Sequence, residues 1–368
     1  MNTPFNEATV EQAALEWLAE LGYECRPGGE IAPGEAQAER ETFAEVVLTE
    51  RLQEAIDRLN PDLPAEALHS HRGFYDRVVQ RLEFFPQYYR FLLSICLDLE
   101  DLGMEGDKGA ALVDWAAREG LAEAEMSDLQ RAEARRLMLR RGVDPVAEDT
   151  GLTERLHRFI DRSETFQLPN KKAAYELTHI VFYLSAYGRQ DPHLSEAAVT
   201  SLEYAGILAY LEQNADLLAE ICVALRYAGR TPSVIWEDWI AGATGRFAID
   251  SGPRVDPPDD YHEYFVSNWA LACAGRPSFA QAVPDGGLAF RADRAGHAPL
   301  RQLSDCLFRL DDRRSGDWGA MRDLVANNME DESQEVLIAA EQSTDKFDAF
   351  FAGFARTRLR AGLREMAS

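Results

Sequence analysis

Residues 174–188 read AYELTHIVFYLSAYG, and residues 214–229 read NADLLAEICVALRYAG. Both are apolar on nearly every side at helical spacing. Both stop at glycine, which most easily takes the left-handed conformation that closes a helix. A third stretch, YYRFLLSICLDLEDLG at 88–103, ends alike and shares with 214–229 an LL-x-IC-type core, allowing one residue of slippage. A helix without a polar face must be surrounded by other helices. The expected fold is therefore all-α, built of stacked antiparallel helical hairpins in a layered or toroidal array.

The rest of the chain agrees in period. Apolar spacing predicts helices over 7–21, 41–59, 72–83, 87–102, 108–119, 127–141, 152–162, 171–187, 195–228 (broken near Asn214), 232–241, 261–274, 318–342 and 345–364. Strand signals are nearly absent, apart from a short hairpin expected around Leu288–Arg291 within an irregular stretch, 275–300. Residues 242–260 carry three prolines and three glycines and read as a linker or long loop. The expected division is a small N-terminal helical segment (1–68), a main helical domain (69–241), that linker, and a C-terminal helical part (261–368) packed on the main domain.

Composition narrows the function classes. Of the 368 residues, 46% are apolar, enough for a large core and against a disordered chain. The formal net charge of −25 repels phosphate backbones and anionic membrane faces alike. Direct nucleic-acid binding is therefore not expected. Cys25, Cys96, Cys222, Cys273 and Cys306 are scattered, with no CxxC pair, which suits a reducing compartment better than a disulfide framework. The N-terminus lacks a cationic-then-apolar signal, and no apolar run nears the ~20 residues of a membrane span. A cytoplasmic protein is expected.

Residues 7–68 contain AALEWLAELGYE, then IAPGE, then AERETFAEVVLTERLQEAIDRLNPDLP. In order and spacing these blocks resemble the start of the motor/nuclease (R) subunit of type I restriction–modification enzymes. In that family the segment leads to a nuclease core, with a metal-binding Asp followed by Glu-x-Lys, and to a helicase motor. Neither follows here. The lysines are Lys108, Lys171, Lys172 and Lys346, and none has a glutamate two residues before it. No GxxxxGK[ST] loop occurs, since GMEGDKG at 103–109 has the wrong spacing. The resemblance implies shared ancestry or docking to a restriction complex through 7–68, without DNA cleavage. The remainder resembles an uncharacterised bacterial helical family, which brings no activity with it.

Two Glu-x-x-His motifs stand out on successive helices, Glu154/His157 and Glu176/His179. In a helix, i and i+3 share a face, so each pair can grip a metal ion, and two such pairs plus two further glutamates make the di-iron carboxylate recipe. Glu203, Glu212, Glu220 and Asp216 are the available carboxylates, and Glu212, Asp216 and Glu220 recur every four residues. The plainer reading is structural. Glu154 lies in a charged, surface-like helix. Glu176 and His179 lie in an apolar one, where both are expected to be largely buried and paired. Tyr175, Tyr183, Tyr187, Tyr204, Tyr210 and Tyr227 either line a pocket or serve as core residues with satisfied hydroxyls.

Asp259-Asp260-Tyr261-His262-Glu263 opens a helix and reads mainly as capping, with His262 a weak metal candidate. RAEARRLMLRR (131–141), with Arg155, Arg158 and Arg162, forms a cationic patch. It either docks an acidic partner or phosphate-bearing ligand, or is neutralised by nearby acids. No nucleophile elbow or dinucleotide fingerprint is found.

The reading favoured is a binding or scaffold module with a pocket near Glu176, His179, Tyr183, Asp216 and Glu220. No cofactor is required, and the partner is a protein or small molecule. The alternatives are a small-molecule or metal-dependent enzyme using Glu176 and His179, and an accessory of a restriction or phage-defence system.

Overall fold

The computed structural model describes residues 65–252, 259–284, 287–294 and 299–357, with Pro33 and Gly296. The helices expected at 7–21 and 41–59 lie outside these residues. The described chain is all-α, with fourteen α-helices and one two-stranded sheet. It divides into two compact units, one ending at Leu112 and the other beginning at Val113.

In the first unit, α1 (Ala65–Phe84) packs on α2 (Tyr89–Asp101). Tyr75, Val78 and Leu82 on α1 are buried, as are Leu93, Cys96 and Leu97 on α2. Pro86 lacks the N–H that would continue α1, so the chain makes one 3-10 turn (Pro86–Tyr88) between them. The Tyr75 hydroxyl donates to Glu100 Oε1 at 2.6 Å, and the same oxygen accepts from the Gly109 N–H at 2.7 Å. These bonds tie the start of α3 (Lys108–Arg118) to the pair.

The second unit is organised around α8 (Ala215–Tyr227), which touches α6 (Lys171–Leu184), α7 (Glu196–Leu211), α9 (Val234–Gly245) and α10 (Tyr261–Cys273). That explains its all-round apolar sequence, because every face meets another helix. The expected break near Asn214 is present. Gln213 takes a positive φ of 56°, and the Asn214 side chain caps α8 by accepting from the Leu217 N–H at 3.1 Å. On α7, Gly206 lets Trp236 of α9 approach closely: a Cβ built there would lie 2.5 Å from the indole ring. Before these come α4 (Asp128–Leu139) and α5 (Leu152–Ile160), both packed on α6.

Three departures from expectation have local causes. Strand β2 (Leu288–Arg291) forms where a hairpin is expected, but its antiparallel partner is β1 (Ala248–Ser251), with α10 between them in sequence. The pair is held by Phe247, Tyr264 and Phe290, a cluster that only the folded chain assembles. α11 (Pro299–Leu310) is not among the expected helices, although Leu303, Cys306, Leu307 and Leu310 recur at helical spacing and are buried. The single helix expected over 318–342 is two, α12 (Trp318–Ala326) and α13 (Asp331–Gln342), with α14 (Phe347–Phe354) closing the described chain. Trp318, Phe347 and Phe351 pack together and anchor α14 to α12.

Candidate functional site

Helices α6 and α8 both flank α7, and polar residues of α6 meet acids at the end of α7 and on α8 at matching four-residue steps. Lys171 Nζ lies 3.0 Å from Glu212. The Tyr175 hydroxyl donates to Asp216 Oδ2 at 2.6 Å. At the next turn, Thr178 Oγ1 donates to Glu220 Oε2 at 2.5 Å, and His179 Nε2 lies 3.6 Å from Glu220 Oε1. The constant offset of rising numbers means that α6 and α8 run in the same direction. The rungs are one turn apart because i and i+4 share a helix face.

A second imidazole enters from α10. His262 Nδ1 lies 2.7 Å from the Asp216 oxygen that Tyr175 leaves open. Two adjacent carboxylates of one buried helix thus each hold a histidine from a different flanking helix. Glu220 is only 2% exposed and Asp216 is half-buried, whereas the His179 and His262 side chains are 39% and 60% exposed, so each imidazole has a more buried anchor and a solvent-facing edge.

The electrostatics follow from this placement. The hydrogen bond to Asp216 lifts the His262 pKa above the ordinary value, against partial burial. Burial pulls His179 down, but contact with Glu220 more than offsets it and leaves the imidazole raised. Burial raises Asp216, yet the hydrogen bonds from His262 and Tyr175 hold it below the usual carboxylate range. Around this corner lies a cavity of about 350 Å³, lined in part by Lys171, Tyr175, Asp216, His262, Glu263 and Arg294. Arg294 bridges Asp260 at 2.8 Å and Glu263 at 2.9 Å. Burial raises Glu263 despite that partner.

Of the residues singled out in the sequence, His179, Asp216 and Glu220 converge. Glu176 does not. It is half-buried and forms no hydrogen bond or ion pair among the described residues, and His179 takes its carboxylate from α8 instead. Sharing a face at i and i+3 does not bring two side chains together when a buried acid on a neighbouring helix is better placed. His179 is half-buried rather than largely buried, and Glu154 is exposed, as expected. His157 and Tyr183 line a different pocket, and Glu203 pairs with Lys346 at 3.0 Å. Among the described residues, no group of three or more His, Cys, Asp and Glu side chains is placed to share a metal ion.

Sequence reasoning misses Thr178 and Arg294. The four-residue spacing of Glu212 at the end of α7 with Asp216 and Glu220 on α8 is the available signal, and the same step along α6 leads to Thr178's turn. Asp259 and Asp260 act largely across the sheet, accepting from the Phe290 and Ala292 N–H groups at 2.9 Å each, and so fix β2 against the start of α10. The arginine-rich helix is partly neutralised. Arg135 pairs with Asp144, and Arg155 forks onto Asp128 and Asp149 at 2.8 and 2.6 Å.

The family model described as Domain of unknown function (DUF6902) matches residues 52–357, which include the whole described fold and both histidine–carboxylate pairs. The chain belongs to the DUF6902 family. A second likeness is confined to one segment. The DUF6902 chain is 40% identical over 65 residues to the type I restriction enzyme HindI endonuclease subunit of Haemophilus influenzae, 18% of this chain and 6% of that protein. The chain thus spans a small fraction of that relative's length. No solved structure matches the DUF6902 chain. Among its described residues no helix is long and apolar enough to cross a membrane.

Proposed function

We propose that this DUF6902 protein is a helical small-molecule-binding module whose ligand meets His262 in the cavity beside Asp216, with His179 the neighbouring imidazole one helical turn along. The observation that carries this reading is that Asp216 and Glu220, one turn apart on the innermost helix, each hold an imidazole with an exposed edge. A carboxylate behind an imidazole fixes its orientation and tautomer and stabilises its protonated form. Such a group can donate to a ligand, or move a proton to or from it. The adjacent cavity, with Arg294 and Lys171 beside Glu263 and Asp216, suits a small polar molecule carrying both charges.

The test is ligand-detected NMR with a panel of small zwitterionic and polar fragments on the full chain. Fragments that lose binding in His262→Ala support the reading. A panel whose binding ignores that substitution overturns it. Metal content of the purified protein separates the metal-dependent alternative: stoichiometric metal lost in His179→Ala would replace a plain binding site with a metal centre.

A second reading, an accessory of a restriction system, rests on the 65-residue likeness. Its test is co-purification with type I restriction subunits. The signal should vanish when residues 1–51 are deleted, which leaves the DUF6902 region intact.

A further inference from the structure

We infer that the pocket formed by α4, α5, the end of α6 and residues 186–193 binds a small organic phosphate. The inference is independent of the imidazole pairs. The cavity measures about 590 Å³, within the ~300–1,000 Å³ typical of small-molecule sites. Its cationic lining is Arg135, Arg136, Arg140 and Arg189, with His157 and His193 beside them. Asp191 is the one acid in the lining among the described residues, and His193 contacts it at 3.3 Å. On a chain of net charge −25, a concave surface of this sign is a local reversal of the overall field.

The arginines are not equivalent. Arg135 is engaged by Asp144 at 2.8 Å. Arg136 and Arg189 have no carboxylate partner among the described residues. The Arg136 guanidinium lies over the Tyr187 ring, 4.7 Å from its centroid, and near Tyr183 at 6.0 Å, while its Nε is buried without a hydrogen-bond partner. Ring stacking holds a guanidinium in place without using its terminal N–H groups, the ones that would fork onto an oxyanion. Planar forks converging on one concavity match a tetrahedral dianion better than a lone carboxylate, which has two oxygens for one fork. Leu152, Leu156 and Leu184 supply an apolar wall, so the ligand has an organic body and a phosphate head. The cavity's size favours a small molecule over a nucleic-acid backbone, which the net charge of the chain repels.

The experiment is calorimetric titration of the full chain with phenyl phosphate, inorganic phosphate and neutral benzyl alcohol at pH 7.5, a choice that leaves the phosphate mostly dianionic (second pKa about 6). Phenyl phosphate should bind one to one, more tightly than inorganic phosphate, with no binding of benzyl alcohol. Arg136→Gln and Arg189→Gln should each weaken it roughly tenfold or more, as expected for loss of a charge-assisted hydrogen bond. Arg189 is exposed on a loop, so its substitution tests the site even if Arg136→Gln perturbs the tyrosine stack. His262→Ala should leave phenyl phosphate binding unchanged, which separates this site from the imidazole corner. Absence of phenyl phosphate binding, equal binding of benzyl alcohol, or affinity indifferent to both arginine variants would overturn the inference. So would capture of an acidic phosphopeptide by protein that ignores phenyl phosphate.

Discussion

His262 Nδ1 on α10 lies 2.7 Å from Asp216 Oδ1 on α8, joining two helices that are far apart in sequence. Folding raises the His262 pKa and lowers that of Asp216. A raised histidine contributes stability that is complete below its unfolded value and fades as pH rises through its folded one. A lowered carboxylate contributes above its unfolded value and loses that contribution as pH falls through its folded one. The pair is therefore strongest in the mildly acidic window between. The difference in melting temperature between wild type and His262→Gln should be greatest there and shrink towards both alkaline and strongly acid pH. A difference that grows with rising pH would contradict the linkage.

Glu220 controls the second imidazole. In Glu220→Gln the negative charge is gone while the volume is kept, so burial should dominate and the His179 pKa should fall from its raised value. Histidine-selective NMR titration reads this directly, and His262, which feels Glu220 through its charge but makes its hydrogen bond to Asp216, should fall by less. Glu220→Ala also leaves the buried Thr178 hydroxyl with the Tyr175 carbonyl as its acceptor, so the lost hydrogen bond should cost about 1 kcal/mol in urea unfolding. A His179 pKa that stays raised in Glu220→Gln would show that another group holds the proton on this imidazole.

Gly206→Ala sets two effects of opposite sign against each other. Replacing a mid-helix glycine by alanine ordinarily stabilises by ~1 kcal/mol. Here the new methyl meets the Trp236 ring, which is itself 1% exposed and cannot retreat into solvent. Overpacking of this kind costs about 1–3 kcal/mol. Net destabilisation is expected, and Trp236→Phe should relieve part of it in the double variant. Additive losses in the two single variants would show that the contact does not couple them.

Asn214→Ala removes the cap that starts α8 directly after the tight turn from α7. The expected loss is ~1 kcal/mol, with Asn214→Asp close to wild type. Because Asp216 lies in the first turn of α8, hydrogen exchange in Asn214→Ala should quicken first at residues 215–218. Uniform acceleration across the helix would indicate a global rather than a capping effect.

Much of this protein is legible without coordinates. Helical period, glycine stops and the Asn214 cap are local properties, and they determined the all-α class, the run of helices from 72 to 273, and the break between α7 and α8. The same local signal exists for α11 at Leu303, Cys306, Leu307 and Leu310, but it follows an irregular stretch and is easily passed over. The four-residue spacing of Glu212, Asp216 and Glu220 marks the end of α7 and the start of α8 as the place to inspect. Tertiary structure alone decided the partners. Glu176 and His179 share a helix face, yet His179 meets Glu220, because side-chain pairing depends on which buried acid the packing brings near. β1 finds β2 across an intervening helix, a pairing that no short window contains. Likewise, the arginines of α4 look alike in sequence, but packing gives Arg135 a carboxylate, leaves Arg136 on a tyrosine ring, and brings Arg189 into the same pocket from a distant loop. Periodicity determines which elements form. Long-range contact determines which of their charges are neutralised and which remain available to a ligand.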